Sequence, residues 1–129
     1  MSKYSETNFF QSFSYARRGV LLAIKSQKNF IRQLIMASIT IFTAFLLNFS
    51  ILELCILIFA ITLVLVAEIF NSAIEFTLDA VYKNKFSKLV GMAKDLAAAA
   101  VCIASCSTVL IGVFLFGSKI FYFLKGVSL

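Results

Sequence analysis

The chain has 129 residues, of which 61% are apolar and 14% are charged, and its formal net charge is +6. Soluble domains contain about 25% charged residues, so this composition is typical of a protein embedded in lipid. Histidine is absent, which excludes histidine metal sites, Ser/His/Asp triads and histidine general bases, and leaves proton transfer to carboxylates.

The first predicted element is an amphipathic helix over residues 8–30. Apolar side chains recur in it at spacings of three and four residues, at Phe9, Phe13, Ala16, Val20 and Ile24. This periodicity puts them on one helical face, while Arg18 and Lys25 lie elsewhere on the helix. We expect such a helix to lie in the membrane interface, where its simplest role is to anchor the first membrane span.

Three membrane-spanning helices follow. Their apolar runs cover residues 34–49, 51–67 and 96–116. Each run approaches the ~20 residues that an α-helix needs to cross about 30 Å of hydrocarbon. With their flanks, the spans are assigned to residues 31–50, 51–82 and 89–124, the second of which extends into the cytoplasm. The expected architecture is one all-α integral membrane domain.

The positive charges predict the orientation of these spans. Ten of the twelve basic residues precede the first span or lie between the second and third: Lys3, Arg17, Arg18, Lys25, Lys28, Arg32, Lys83, Lys85, Lys88 and Lys94. Because lysine and arginine collect in cytoplasmic loops, the N-terminus is expected in the cytoplasm. Topology and lipid headgroups thus explain the net charge, and we expect no nucleic-acid partner.

A polar stripe continues the second span without any helix breaker. Its members are Glu68, Asn71, Ser72, Glu75 and Asp79. At about 100° per residue, these positions share one face of a helix. A charged side chain costs about 2.5–3.5 kcal/mol at the bilayer centre, so the stripe is a candidate functional site. A helix that emerges into water with a solvated acidic face explains Asp79, but it does not explain Glu68.

Two carboxylates at different depths suit two different tasks. Glu68, the deeper one, can act as a general base toward a hydroxyl group. Glu75, nearer to water, can bind Mg²⁺, which prefers carboxylate, water and phosphate oxygens. Asn71 and Ser72 lie between them and can orient either carboxylate.

A lysine and an aspartate begin the third apolar run. Lys94 can hold phosphate oxygens, and Asp95 can accept hydrogen bonds from ribose hydroxyls. Alternatively, Lys94 is an ordinary anchor whose ammonium group reaches the interface. The alanines around them, residues 93 and 97–100, permit close contact between helices. Such contact would bring Lys94 and Asp95 against the polar stripe.

Two segments together carry a family resemblance. AEIFNSAIEFTLD and GMAKDLAAAAV, in a chain of three membrane helices after an amphipathic one, resemble the prokaryotic diacylglycerol kinase family, which includes undecaprenol kinases. The start, FFQSFSYARRGV, is also similar. The resemblance implies a homotrimer in the bacterial inner membrane that transfers the γ-phosphate of MgATP directly to the primary hydroxyl of a lipid. Diacylglycerol, giving phosphatidic acid, is the first candidate substrate and undecaprenol the alternative.

The resemblance also implies a role for each matching residue. Glu68 and Asn71 would be catalytic, and Glu68 with Ser72 would contact the lipid. The nucleotide site would comprise Tyr15, Gly19, Glu75, Lys94 and Asp95. Glu75 would bind the metal ion, together with Gln27.

The chain departs from the family pattern at three places. Gln27 stands where a second metal-binding glutamate is usual, and its amide brings an oxygen ligand but no charge. Ile31 replaces an arginine, and Phe86 with Ser87 replaces an aromatic residue followed by histidine. A catalytically weakened membrane scaffold of the same family therefore stays open as an alternative. A small proton-coupled transporter is a third hypothesis, based on Glu68 alone.

Overall fold

Four α-helices form nearly all of the computed structural model, which describes residues 9–83, 85 and 87–126. Lys3 and Phe86, named above for orientation and family pattern, lie outside these residues. The helices are α1 (Phe9–Ser26), α2 (Lys28–Leu46), α3 (Ile51–Tyr82) and α4 (Lys88–Leu124). The predicted all-helical architecture is confirmed, and α2, α3 and α4 are each long and apolar enough to cross a membrane.

A tight turn joins α2 to α3 and makes them an antiparallel hairpin. Ser50 begins α3 with a capping box: its Oγ accepts from the Glu53 N–H (3.3 Å), and Glu53 Oε2 accepts from the Ser50 N–H (2.6 Å). These two bonds satisfy backbone donors that a helix start leaves without partners. We call this end of the molecule the hairpin end, and the opposite end, where α2 begins and α3 finishes, the site end.

Helix α3 is the central element, since α1, α2 and α4 all pack against it. Its buried residues follow one another at three- and four-residue spacing along a single face: Leu57, Ala60, Val64, Glu68 and Ser72. The same face is therefore apolar toward the hairpin end and polar toward the site end. The packing that forms the core also carries Glu68 into it.

Large apolar side chains cover much of the outer surface. Phe42, Phe59, Phe70 and Phe114 are each at least 64% exposed. A soluble monomer rarely presents so much contiguous apolar surface to water, whereas lipid chains cover it at no cost. The chain is a membrane protein whose three apolar helices turn hydrophobic side chains outward.

Candidate functional site

The polar stripe of α3 faces the interior of the helix bundle. Glu68 and Ser72 are buried, with only 3% and 5% of their surface exposed, and Asn71, Glu75 and Asp79 are half-buried. The apolar residues on the other face of this helix, such as Phe70, point outward. The interpretation of the stripe as a solvated acidic face is therefore wrong for Glu68, because this residue is buried inside the protein.

Gln33 on α2 is the hydrogen-bonding partner of Glu68. Its side-chain Nε2 donates to Glu68 Oε2 at 3.3 Å. The Oε1 atom of Gln33 is buried and has no partner among the described residues. Sequence reasoning missed Gln33, which lies between Arg32 and the first apolar run. A polar residue at the edge of a membrane span gives no distinct signal in the sequence.

Asn71 and Glu75 repeat this arrangement one helical turn apart on α3. Asn71 Nδ2 donates to Glu75 Oε1 at 3.4 Å, and Asn71 Oδ1 is buried without a partner in the described part of the chain. A buried acceptor without a donor costs about 1–3 kcal/mol. Each carboxylate thus has an amide beside it whose buried carbonyl oxygen has no hydrogen-bond donor in the described part of the chain.

Lys94 extends the stripe from the neighbouring helix α4. Its Nζ is 2.6 Å from Asp79 Oδ1, and the two side chains are 36% and 42% exposed. The expected contact between α4 and the stripe is therefore present for Lys94, and it is made with Asp79. Asp95 is exposed, and it forms no hydrogen bond or ion pair with the described residues.

Three candidate site residues precede α2, and the structure shows no side-chain hydrogen bond between the last of them, Gln27, and the polar stripe within the described residues. Tyr15 lies beneath the Arg18 guanidinium, which is 5.8 Å from its ring centroid. Gly19 is open, because a Cβ there would meet nothing within 4 Å. Gln27 caps α2 without a side-chain hydrogen bond.

The donor atoms present can hold Mg²⁺ only in part. Residues 9–83, 85 and 87–126 contain no group of three or more acidic or cysteine side chains arranged around a common metal position. Glu75 and the open Oδ1 of Asn71 are hard oxygen donors, which suit Mg²⁺. Because Mg²⁺ usually keeps several water ligands or shares phosphate oxygens, this sparse set fits an ion that arrives with a nucleotide.

An apolar groove leads away from Glu68 toward the hairpin end. It has a volume of about 560 Å³ and lies between α2, α3 and α4, within the range of about 300–1,000 Å³ that is usual for ligand sites. Gln33 lines its site end and Phe116 its hairpin end. The buried carboxylate therefore lies between an apolar groove on one side and increasingly exposed polar groups on the other.

Comparison with known proteins identifies one family. Residues 14–116 match the family described as prokaryotic diacylglycerol kinase. The chain is 34% identical to the undecaprenol kinase of Bacillus subtilis over 112 residues, which is 87% of this chain and 90% of that protein.

Two diacylglycerol kinases are also similar, and each is 32% identical to this chain. The match to the enzyme of Synechocystis sp. covers 81% of this chain and 60% of that protein. The match to the enzyme of Haemophilus influenzae covers 78% of this chain and 84% of that protein.

Proposed function

Because the chain belongs to the prokaryotic diacylglycerol kinase family, we propose that it is an ATP-dependent lipid kinase that phosphorylates the primary hydroxyl of a membrane lipid. Diacylglycerol, which would give phosphatidic acid, is the first candidate substrate, and undecaprenol is the alternative. The observation that carries this proposal is the position of Glu68, which is buried and accepts a hydrogen bond from Gln33, the residue that lines the site end of the apolar groove.

Glu68 is the proposed general base. A lipid whose chain lies in the groove brings its hydroxyl to the groove's end at Gln33, beside Glu68. As the hydroxyl oxygen bonds to the γ-phosphorus, the bond from phosphorus to the bridging oxygen of ADP breaks, and the proton passes to Glu68. The Gln33 amide holds Glu68 Oε2, which leaves Oε1 for the proton. A positioned base of this kind contributes about 10²- to 10⁴-fold to rate.

The polar groups farther along the stripe are the proposed nucleotide site. Glu75 and Asn71 Oδ1 would hold Mg²⁺ together with phosphate oxygens, with Gln27 as a further candidate ligand. When bound, the ion would neutralise the negative charge that develops on the phosphates. Lys94 can exchange Asp79 for a phosphate oxygen, because both side chains reach water.

The remaining nucleotide contacts are assigned by family resemblance. Asp95 would accept hydrogen bonds from the ribose, and Tyr15 and Gly19 would line the nucleotide pocket. On the lipid side, Ser72 would contact the headgroup.

We further propose that α1 lies in the interface of the bacterial inner membrane, with the N-terminus in the cytoplasm. The exposed phenylalanines at the start of α1 and the basic residues along it support this position.

A homotrimer with shared active sites is part of the proposal. Two features of the single chain support it. The carbonyl oxygens of Gln33 and Asn71 have no donors among the described residues. Ala98, Ala99 and Ala100 expose a small-residue surface, which permits close approach of another helix in lipid.

The decisive experiment is transfer of radiolabelled phosphate from MgATP. Purified protein is given diacylglycerol or undecaprenol in mixed micelles, and labelled lipid is extracted and separated. We expect label in at least one lipid phosphate, and the ratio of the two rates assigns the substrate. The Glu68→Gln variant serves as the inactive control. If neither lipid is labelled while both still bind, the chain is a scaffold and the kinase proposal is wrong.

A further inference from the structure

We propose that Phe116 determines how far the hydrocarbon chain of the lipid enters the groove, and therefore which chain lengths the protein prefers. This inference rests on the lipid kinase function proposed above. It concerns the end of the groove farthest from Glu68, where no reacting atom lies.

The groove is one membrane leaflet deep. Along α2 its lining runs from Gln33 to Thr43, and ten residues of helix are about 15 Å long. The hydrocarbon core of a bilayer is about 30 Å thick, so the groove covers half of it. A spanning helix from a second copy would need a groove of full thickness. A single hydrocarbon chain, anchored by its hydroxyl beside Glu68, fits half the thickness.

The walls suit a hydrocarbon chain although several carry hydroxyl groups. Thr40 Oγ1 donates to the Met36 carbonyl at 2.8 Å. Thr108 Oγ1 is 3.0 Å from the Ala60 carbonyl on the neighbouring helix. Because backbone carbonyls already satisfy these hydroxyls, the surface left for a ligand is apolar.

Phe116 closes the groove at its hairpin end. Its ring packs against Phe49 with the centroids 4.7 Å apart. Phe49 belongs to a buried cluster with Ala44 and Leu57, which fills the space beyond the groove. A chain that follows the groove to Phe116 therefore meets packed side chains at this end.

Contacts of Lys119 at the hairpin end stabilise the packing around Phe49. Lys119, three residues after Phe116, forms an ion pair with Glu53 at 3.0 Å. It also donates to the Asn48 carbonyl at 3.4 Å, and its Nζ lies 5.7 Å from the Phe49 ring centroid. Lys119 thus contacts Phe49, and Phe49 in turn packs against Phe116 at the end of the groove.

The first test compares kcat/KM for short-, medium- and long-chain diacylglycerols. Phe116→Ala deepens the groove, and we expect it to raise the ratio of long-chain to short-chain kcat/KM by roughly tenfold, the lower end of the effect of one methylene in an apolar pocket. Phe116→Trp shortens the groove and should lower the same ratio. Phe114→Ala is the control, because that residue lies on the same helix, outside the groove lining, and is 75% exposed.

Opposite shifts for the alanine and tryptophan variants, with the control unchanged, support the inference. Equal loss at every chain length, or an unchanged ratio, overturns it. Retained activity on short-chain lipid reports that a variant is folded.

A second test does not depend on phosphate transfer. A diacylglycerol with a diazirine on the terminal carbon of one chain is irradiated with the wild-type protein, and the labelled residues are mapped. Adducts at Phe116 and its neighbours in the groove support the inference. Adducts spread over outward-facing residues such as Phe42 and Phe114, or no adducts, overturn it. Labelling at Phe116 without kinase activity would overturn the proposed function and leave this inference standing.

Discussion

Helix α3 carries a half-buried glutamate in its first turn, Glu53, and a buried one near its middle, Glu68, on the side of the site end, and the two carboxylates have different surroundings. At the hairpin end, Glu53 accepts from the Ser50 N–H at 2.6 Å and pairs with Lys119 at 3.0 Å. At the site end, Glu68 is more deeply buried and accepts one hydrogen bond, from Gln33 at 3.3 Å. Among the described residues, no lysine or arginine forms an ion pair with Glu68.

The neighbouring polar groups differ in the same way. Lys119 bonds to a carboxylate and a backbone carbonyl, so its charge is compensated within the protein. The amides of Gln33 and Asn71 each have a buried oxygen without a donor in residues 9–83, 85 and 87–126. Polar groups that satisfy each other stabilise a fold, whereas polar groups left open at a stability cost are expected where a substrate completes them. Paired substitutions at the two ends test this contrast.

The largest expected effect comes from removing the charge of each glutamate. Glu68→Gln should lower phosphate transfer by at least about 10²- to 10⁴-fold, because a general base is lost, and should leave thermal unfolding in detergent nearly unchanged. Glu53→Gln should do the reverse: activity is retained at moderate temperature, while the free energy of unfolding falls by about 1–3 kcal/mol, because hydrogen bonds to a charged group are weakened. Near-normal turnover by Glu68→Gln would end the assignment of the base.

Glu75→Gln should come next, with a loss of about 10²-fold at low Mg²⁺. The amide keeps an oxygen but removes the charge that attracts the ion, so raising the Mg²⁺ concentration should restore part of the rate. Initial rates over a magnesium titration measure this shift. Asp79→Asn is the matched control on the same helix face, and it should leave the magnesium dependence unchanged. An unaltered magnesium curve for Glu75→Gln would exclude Glu75 as a ligand.

Gln33→Leu should have a smaller effect, about 10-fold on kcat, with the KM for ATP unchanged. Hydrogen bonds to charged groups contribute about 1.5–3 kcal/mol, and this one, at 3.3 Å, belongs at the weak end. If Gln33 acts through Glu68, the substitution should cause no further loss in the Glu68→Gln background. Independent, additive losses would show that Gln33 acts in some other way.

The smallest expected effect concerns the hairpin end alone. Lys119→Met should lower the free energy of unfolding by about 1–2 kcal/mol, between the values for exposed and fully buried ion pairs, because the two side chains are 13% and 21% exposed. Phosphate transfer to a short-chain lipid should not change. Lys125→Met is the control. It removes an exposed lysine near the same helix end, whose Nζ lies 4.4 Å from the Phe121 ring centroid, and it should lower the free energy of unfolding by no more than about 0.5–1 kcal/mol. If Lys119→Met lost activity but kept its stability, the hairpin end would not serve stability alone, and the proposed contrast between the two ends would be wrong.

The polar stripe could be predicted because its cause is local. Helical periodicity alone aligns Glu68, Ser72 and Glu75 on one face, and the absence of proline and glycine from that segment lets the helix continue. The partners could not be predicted in this way. Gln33 is 35 residues from Glu68, and Lys94 bonds to Asp79 rather than to either carboxylate proposed for the chemistry. Both pairings depend on the depth at which α2 and α4 lie against α3.

The sequence by itself determined that this protein is a helical membrane protein, because hydrophobic length and local periodicity are properties of each segment alone. Two short motifs, AEIFNSAIEFTLD and GMAKDLAAAAV, carried its family resemblance. The tertiary structure decided which polar groups are satisfied and which stay open. The rotation and axial position of the helices set those distances, and they result from packing along the whole of α3. Thus Glu53 and Lys119 pair with each other toward one end of the bundle, while Glu68 accepts one hydrogen bond from Gln33, whose buried Oε1 has no donor among the described residues.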